Sequence, residues 1–112
     1  MSFYTVINTE LSNMELIICA LEELQNRGEI KVFDCNKNKE TIEVNRDGDI
    51  LNIVKERSGN YQVAGDARVA ERFAQRLKQI YAYETIKENL PLDFEIATEN
   101  EVAGEIRIML KA

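Results

Sequence analysis

The fold of this chain is decided by residues 41–54, which read TIEVNRDGDILNIV. Apolar and polar residues alternate on both sides of Asp47-Gly48, a pair that strongly favours a tight hairpin turn. Shorter segments of the same character lie before it, at residues 30–33, and after it, at residues 61–63. Four consecutive strands joined by short turns predict an antiparallel meander that is solvated on one face.

A helix is predicted before the meander. Ser12 can serve as its N-cap, and Glu15, three residues later, completes a capping box. Apolar residues then recur at helical spacing as far as Leu24, and Gly28 supplies a left-handed stop. This pattern predicts a helix over about residues 13–27.

A second helix is predicted after the meander, capped by Asp66. Its apolar stripe consists of Val69, Ala70, Phe73, Leu77 and Ile80. Beyond Ala82 the stripe changes phase, so either the helix bends there or its end packs on another element. Tyr81 and Tyr83 point about 200° apart, so we expect one in the core and the other at the surface or an interface. Pro91 ends the helix.

The two ends of the chain add further strands. Residues 3–7, FYTVI, predict a first strand because they are rich in β-branched and aromatic side chains. A last hairpin has Phe94 and Ile96 on one arm, Gly104 in or near its turn, and on the other arm Ile106, Ile108 and Leu110. The order β-α-β-β-β-β-α-β-β predicts an α+β fold of two layers, an antiparallel sheet with two helices on one face. We expect residues 1–112 to form a single domain.

The composition limits where the protein works and what it binds. Fourteen basic and twenty acidic residues give a formal net charge of −6, which disfavours nucleic acid and anionic membranes as partners. No apolar run approaches the roughly 20 residues that cross a bilayer, and the N-terminus lacks the pattern of a signal peptide. These features predict a cytoplasmic protein whose two cysteines are reduced.

The residue types that most enzymes use for acid–base catalysis are scarce. The chain has no histidine, so the usual proton shuttle and the commonest metal ligand are absent from it. Cys19 lies off the main core stripe of the first helix, Cys35 follows a strand, and neither has a base nearby in sequence to activate it. The acidic turn at Asp47 and Asp49 matches no calcium-loop pattern. We therefore predict no catalytic residues, no metal site and no cofactor.

The sharpest local feature is a row of arginines on the second helix. Arg68, Arg72 and Arg76 recur at four-residue spacing, and Gln79 and Tyr83 continue the row. One interpretation is a surface for an acidic protein partner, a phosphate group or RNA. The other, which is the commoner use of such a row, is a solvated helix face opposite the apolar stripe.

Three separated parts of the chain carry short residue patterns that, taken together, resemble a known family. They are MSF, Thr9, LSNMEL and ALEEL within residues 1–24, Arg76 with YAYETI at residues 81–86, and FEI, GEIRI and LK within residues 94–111. In this order the pieces resemble the conserved chloroplast open-reading-frame family of plastids, cyanobacteria and other bacteria, a family of unknown function. The chain departs from that family because it ends in Lys111-Ala112 instead of arginine-tryptophan, and because it has no tryptophan in its middle strands.

The resemblance implies the fold and a bacterial cytoplasmic location, but no reaction. Bacterial members of the family lie near genes for AAA-type ATPases, which implies such an ATPase as a candidate partner. We predict a non-catalytic interaction or accessory module that acts through a protein partner or through self-association, with Arg72, Arg76 and Tyr83 in its contact surface. The alternative is a domain that binds a small anionic ligand or nucleotide through the arginine row, and an enzyme ranks third.

Overall fold

The meander is built around the predicted turn. Asp47 and Gly48 have φ angles of 49° and 98°, the pair of positive values that a type I′ turn requires. The strands on either side of the turn are antiparallel, and their register places Val44 opposite Leu51. The tight turn and the alternating pattern therefore specify the same pairing.

The structure, a computed structural model, describes residues 4–89, 95–102 and 105–111. Within these ranges the elements are β1 (Tyr4–Asn8), α1 (Met14–Asn26), β2 (Val32–Asn36), β3 (Thr41–Arg46), β4 (Asp49–Lys55), β5 (Tyr61–Asp66), α2 (Ala67–Glu88), β6 (Glu95–Val102) and β7 (Glu105–Lys111). This order confirms the α+β prediction. The assignment of all 112 residues to one domain stays a prediction.

Five strands form one antiparallel sheet in the order β1-β5-β4-β3-β2. The predicted meander supplies β2 to β5, and β1 adds to its far edge by pairing with β5. One face of the sheet carries the core residues Ile42, Val44, Leu51, Ile53 and Val63. Both helices pack on this face, because their buried stripes belong to the same apolar cluster.

The strands β6 and β7 form a separate two-stranded sheet beside the helices. Ile106 on β7 packs partly against the main core, and β7 contacts α2. The sequence predictions also name residues that lie outside the described ranges: residues 1–3, Pro91, Phe94, Gly104 and Ala112.

Two local predictions are corrected. The N-cap of α1 is Asn13, not Ser12, because the Asn13 side chain accepts a hydrogen bond from the backbone N–H of Leu16 at 3.2 Å. Helix α1 therefore starts one residue later than the capping-box pattern suggested. Cys35 does not follow a strand but lies within β2, where it points to the helix side with Phe33 while their neighbours point away.

Candidate functional site

The four predicted site residues all lie on α2, but they do not form one exposed ridge. Positions four apart advance about 40° around a helix, so Arg76 lies about 80° from Arg68. The exposed fraction of the side chain falls accordingly, from 70% at Arg68 to 18% at Arg76. The row winds from the solvent side of α2 toward the end of α1.

Arg68 holds the start of α2. Asp66, the N-cap, accepts a hydrogen bond from the backbone N–H of Arg68 at 2.8 Å and a second from its Nε at 3.2 Å. The Arg68 guanidinium also lies 3.6 Å from a carboxylate oxygen of Asp49. The bond to Asp66 raises the pKa of Arg68. The positive charge of Arg68 is therefore already paired with Asp66 and Asp49 at the start of α2.

Arg76 belongs to a chain of five charged side chains, which we call the Glu101 cluster: Glu23, Arg27, Glu101, Arg76 and Glu29. Arg76 binds Glu29 through two hydrogen bonds of 2.9 and 2.7 Å, and its Nη1 lies 2.5 Å from Glu101. The other carboxylate oxygen of Glu101 accepts a hydrogen bond from Arg27 at 2.9 Å. Arg27 in turn donates to Glu23 at 2.9 Å. The cluster joins α1, the segment after it, α2 and β6.

The pKa values of the cluster follow from these contacts. Hydrogen bonding to Glu29 raises the pKa of Arg76, so this guanidinium stays charged at every physiological pH. Hydrogen bonding from Arg76, followed by the positive charges of both arginines, lowers the pKa of the Glu101 carboxyl. Each group thus favours the charged state of its neighbours, which is the behaviour of a structural ion network.

Tyr83 is buried, with 6% of its surface exposed. The Lys87 ammonium lies 4.7 Å from the centre of its ring, and the Arg27 guanidinium lies 6.0 Å away. Helix α2 runs without interruption to Glu88 and Tyr83 near its end is buried, so the phase change reflects packing of the end of the helix. Tyr81 is half-buried against the core. Both tyrosines are therefore part of the packing around α1 and α2.

Arg72 is exposed and lines a hollow of about 180 Å³ that the sequence did not predict. The residues around this hollow, which we call the Arg46–Arg72 hollow, are Leu24, Glu29, Ile30, Arg46, Arg72, Phe73 and Arg76. Arg46 reaches it from the end of β3, on the same side of the strand as Ile42 and Val44. Three arginines and one carboxylate thus surround an apolar floor.

The two cysteines lie in different surroundings. Cys19 is exposed on α1, and partial desolvation, followed by the charges of Glu22 and Glu84, raises the pKa of its thiol. Cys35 is half-buried, with its sulfur 4.0 Å from the sulfur of Met14. Within residues 4–89, 95–102 and 105–111, no three histidine, cysteine or acidic residues come close enough to hold a metal ion.

The face of the large sheet opposite the helices, which we call the outer face, is rich in exposed apolar side chains. Tyr4 and Val6 on β1 expose 72% and 49% of their surface, and Val32 on β2 exposes 52%. Ile50 and Val54 on β4 are also exposed. Part of this patch was visible in the sequence. Residues 50–54 include apolar side chains at both odd and even positions, so a strand there has apolar side chains on both of its faces.

The formal charges on the outer face are all negative. Its outward positions on β1 to β5, every one of them in the described part of the chain, include Asp34, Glu43 and Asp66 and no lysine or arginine. Asp34 and Glu43 are directly opposite each other on neighbouring strands. Like charges in this arrangement destabilise a sheet.

Sequence reasoning missed Arg46, Glu29 and Glu101. Glu29 and Glu101 form ion pairs with Arg76, and Arg46 lines the same hollow as Arg72. All three are far from these arginines along the chain, so residue spacing does not reveal these contacts. The 80° drift of the arginine row was available from the helical repeat, and it places Arg76 and Tyr83 on nearly the same face of α2.

None of the described helices is both long and apolar enough to cross a membrane. A scan against protein-family models, a search of curated proteins and a search of solved structures each returned no match for this chain.

Proposed function

We propose that this protein is a non-catalytic interaction module that binds a protein partner through the outer face of its five-stranded sheet. The observation that carries the proposal is the outer face itself, on which five large apolar side chains are exposed on three of the five strands, β1, β4 and β2, with β5 and β3 between them. Large apolar side chains that are exposed together on one face of a sheet, among polar ones, are a feature of contact sites.

The charges of the outer face indicate the chemistry of the partner. Asp34 and Glu43 have no ion-pair partner among the described residues, and they repel each other across β2 and β3. A partner surface that carries apolar side chains and lysine or arginine would cover the patch and relieve this repulsion. We therefore propose a basic partner.

A different protein fits this face better than a second copy of the same chain. Self-association through the outer face would bring two sets of carboxylates into one interface, and each chain already carries a formal net charge of −6. The resemblance to the chloroplast open-reading-frame family stays a prediction, and it makes an AAA-type ATPase the first partner to test. The cytoplasmic location also stays a prediction.

Two features support a role without catalysis. Cys19 is the exposed cysteine, and its raised pKa keeps the thiol protonated near neutral pH. The strongest ionic arrangement, the Glu101 cluster, consists of groups that already satisfy one another. Neither arrangement is poised for proton transfer to a substrate.

The test is affinity capture with paired variants. Glu43→Lys inverts a charge on the outer face, and its matched control, Glu22→Lys, makes the same change on an exposed position of α1. Ile50→Ser removes an apolar contact, and Ile86→Ser does the same on α2, where Ile86 is 43% exposed.

The expected result is a stoichiometric partner that is lost from Glu43→Lys and Ile50→Ser and retained by both controls. Equal capture by all four variants, or no partner at all, would refute the proposal. Sedimentation velocity runs alongside, and a wild-type dimer that Glu43→Lys dissociates would replace the basic partner by a second copy of the chain.

A further inference from the structure

We propose that the Arg46–Arg72 hollow binds the phosphoryl group of a small metabolite. This inference is independent of the outer face, which lies on the other side of the sheet. It also changes the set of residues that the arginine row suggested, because Arg46 comes from β3 and not from α2.

The arginines near α2 differ in whether their charges are already paired. Arg68 is bound to Asp66, and Arg76 is bound to Glu29 and Glu101. Arg46 and Arg72, by contrast, have no ion pair or hydrogen bond from their side chains to any residue in the described ranges. Both of these guanidinium groups line the same hollow, whereas Arg57, which also has no ion pair among the described residues, lies in the exposed turn after β4.

Positive charge exceeds negative charge around the hollow. Glu29 is the one carboxylate around the hollow among the described residues, and Arg76 already engages both of its oxygens. Asp49 is directly opposite Arg46 on β4, but it lies 3.6 Å from the guanidinium of Arg68 and does not line the hollow. Arg46 and Arg72 therefore leave at most about two uncompensated positive charges in a chain whose formal net charge is −6. Their mutual repulsion favours an anion between them. A phosphate dianion fits this site because one guanidinium group can donate two parallel hydrogen bonds to two phosphate oxygens.

The hollow is small and has an apolar floor. Its floor consists of Leu24, Ile30 and Phe73, which are almost fully buried and therefore fixed in position. Such a floor excludes water from one side of the ligand, and this strengthens the ionic contacts. The volume of about 180 Å³ is smaller than the roughly 300–1,000 Å³ of typical ligand pockets. The hollow therefore suits a phosphoryl group with a few carbon atoms and not a whole nucleotide.

A neighbouring groove is a weaker candidate for the same ligand. This open groove, of about 880 Å³, is lined by Glu29, Gln75, Arg76, Lys78, Gln79 and Glu101. Its arginine is held by two carboxylates that also line the groove, so an incoming anion would meet their negative charge.

The experiment is titration calorimetry in phosphate-free buffer at 150 mM KCl, with inorganic phosphate, glycerol 3-phosphate and adenosine monophosphate as probes. The variants are Arg46→Gln and Arg72→Gln. The matched control is Arg57→Gln. It removes the same charge from an exposed arginine two residues after β4, whereas Arg46 lies three residues before Asp49, where β4 begins after the turn. Circular dichroism and urea unfolding check that each variant folds as the wild type does.

We expect glycerol 3-phosphate to bind the wild type and Arg57→Gln equally, and to bind Arg46→Gln and Arg72→Gln at least about tenfold more weakly. No binding of glycerol 3-phosphate to the wild type at concentrations up to about 10 mM would overturn the proposal. An equal loss in all three variants would also overturn it, because it would show a general charge effect. Tighter binding of adenosine monophosphate than of glycerol 3-phosphate would refute the argument from size.

Discussion

Replacement of Glu101 by glutamine should loosen the β6–β7 hairpin from the rest of the protein. Glu101 is the carboxylate by which this hairpin binds both Arg27 and Arg76. Among side chains described on β6 and β7, the other attachment is Ile106, which is only partly buried. Glutamine keeps the size of the side chain and removes its charge, so the change isolates the ionic contribution.

The expected loss in the free energy of hairpin attachment depends on which ion pairs Arg27 and Arg76 keep after the substitution. A hydrogen bond to a charged group contributes about 1.5–3 kcal/mol when it is protected and about 0.2–1 kcal/mol when it is exposed. The arginine side chains are 18% and 23% exposed, which places these two contacts between those limits. Arg27 keeps Glu23 and Arg76 keeps Glu29, so neither is left with a buried unpaired charge. We expect a loss of about 2 kcal/mol.

Hydrogen exchange measures this cost where it arises. If the hairpin opens as a unit, a loss of 2 kcal/mol makes the amides of β6 and β7 exchange about 30-fold faster, while those of β3 and β4 are unchanged. The control is Lys31→Gln, which removes an exposed ion pair to Asp47 and should cost less than about 0.5 kcal/mol. Unchanged exchange in the hairpin of Glu101→Gln would refute the view that the cluster holds it.

The same contact predicts a dependence on pH. The pKa of Glu101 is lower in the folded protein than its ordinary value of about 4.3, because Arg76 and Arg27 stabilise the carboxylate. Its contribution is therefore complete above that ordinary value and is lost as the pH falls through the lowered pKa. Wild type and Glu101→Gln should differ in stability at neutral pH and converge in acid. A difference that persists below the lowered pKa would contradict this assignment.

Three further changes test other parts of the structure. Gly65→Ala should destabilise the protein by about 1–3 kcal/mol in urea unfolding, because the new Cβ would lie 2.5 Å from Cδ2 of the fully buried Leu51. Glu43→Gln should stabilise it by about 0.5 kcal/mol in 50 mM salt (roughly nothing in 1 M salt) by removing the repulsion from Asp34. Alkylation of Cys19 should be slower at pH 7 than that of an unperturbed thiol, because its pKa is raised, and its rate should still increase above pH 9 (about the ordinary pKa).

Each of these three has a clear contrary result. A stable Gly65→Ala protein would mean that the Leu51 side chain and the neighbouring backbone of β4 move away from the new Cβ at little cost. A loss of stability in Glu43→Gln would mean that the carboxylate has a favourable contact, and the argument for a basic partner would fail with it. Fast alkylation at neutral pH would mean that Cys19 is an activated thiol and would reopen the question of catalysis.

The fold was predictable because its determinants are local. The turn at Asp47-Gly48 and the alternation beside it fix the pairing of β3 and β4, and Asp66 fixes the start of α2. The errors were local as well. Asn13 and Ser12 are both good capping residues, and the choice between them depends on which side chain reaches the N–H of Leu16. That choice depends on how the chain enters α1 from β1, which sequence spacing does not give.

The candidate sites were less predictable, because they join residues that are far apart along the chain. Arg76 is 47 positions from Glu29 and binds it through two hydrogen bonds. The outer face combines side chains from five strands, and its excess of negative charge is a property of the sheet and not of any one segment. Only the register of the strands shows that Asp34 and Glu43 are opposite each other.

The arginine row shows how the fold changes the meaning of a sequence pattern. Spacing alone made Arg68, Arg72 and Arg76 equivalent, yet the drift around the helix gives each a different environment. The first holds a helix start and the last an ion network, so Arg72 is the member whose guanidinium stays available. The fold then brings Arg46, from 26 positions earlier, to the same hollow. An anion site on this protein is therefore expected between α2 and β3, and not along α2.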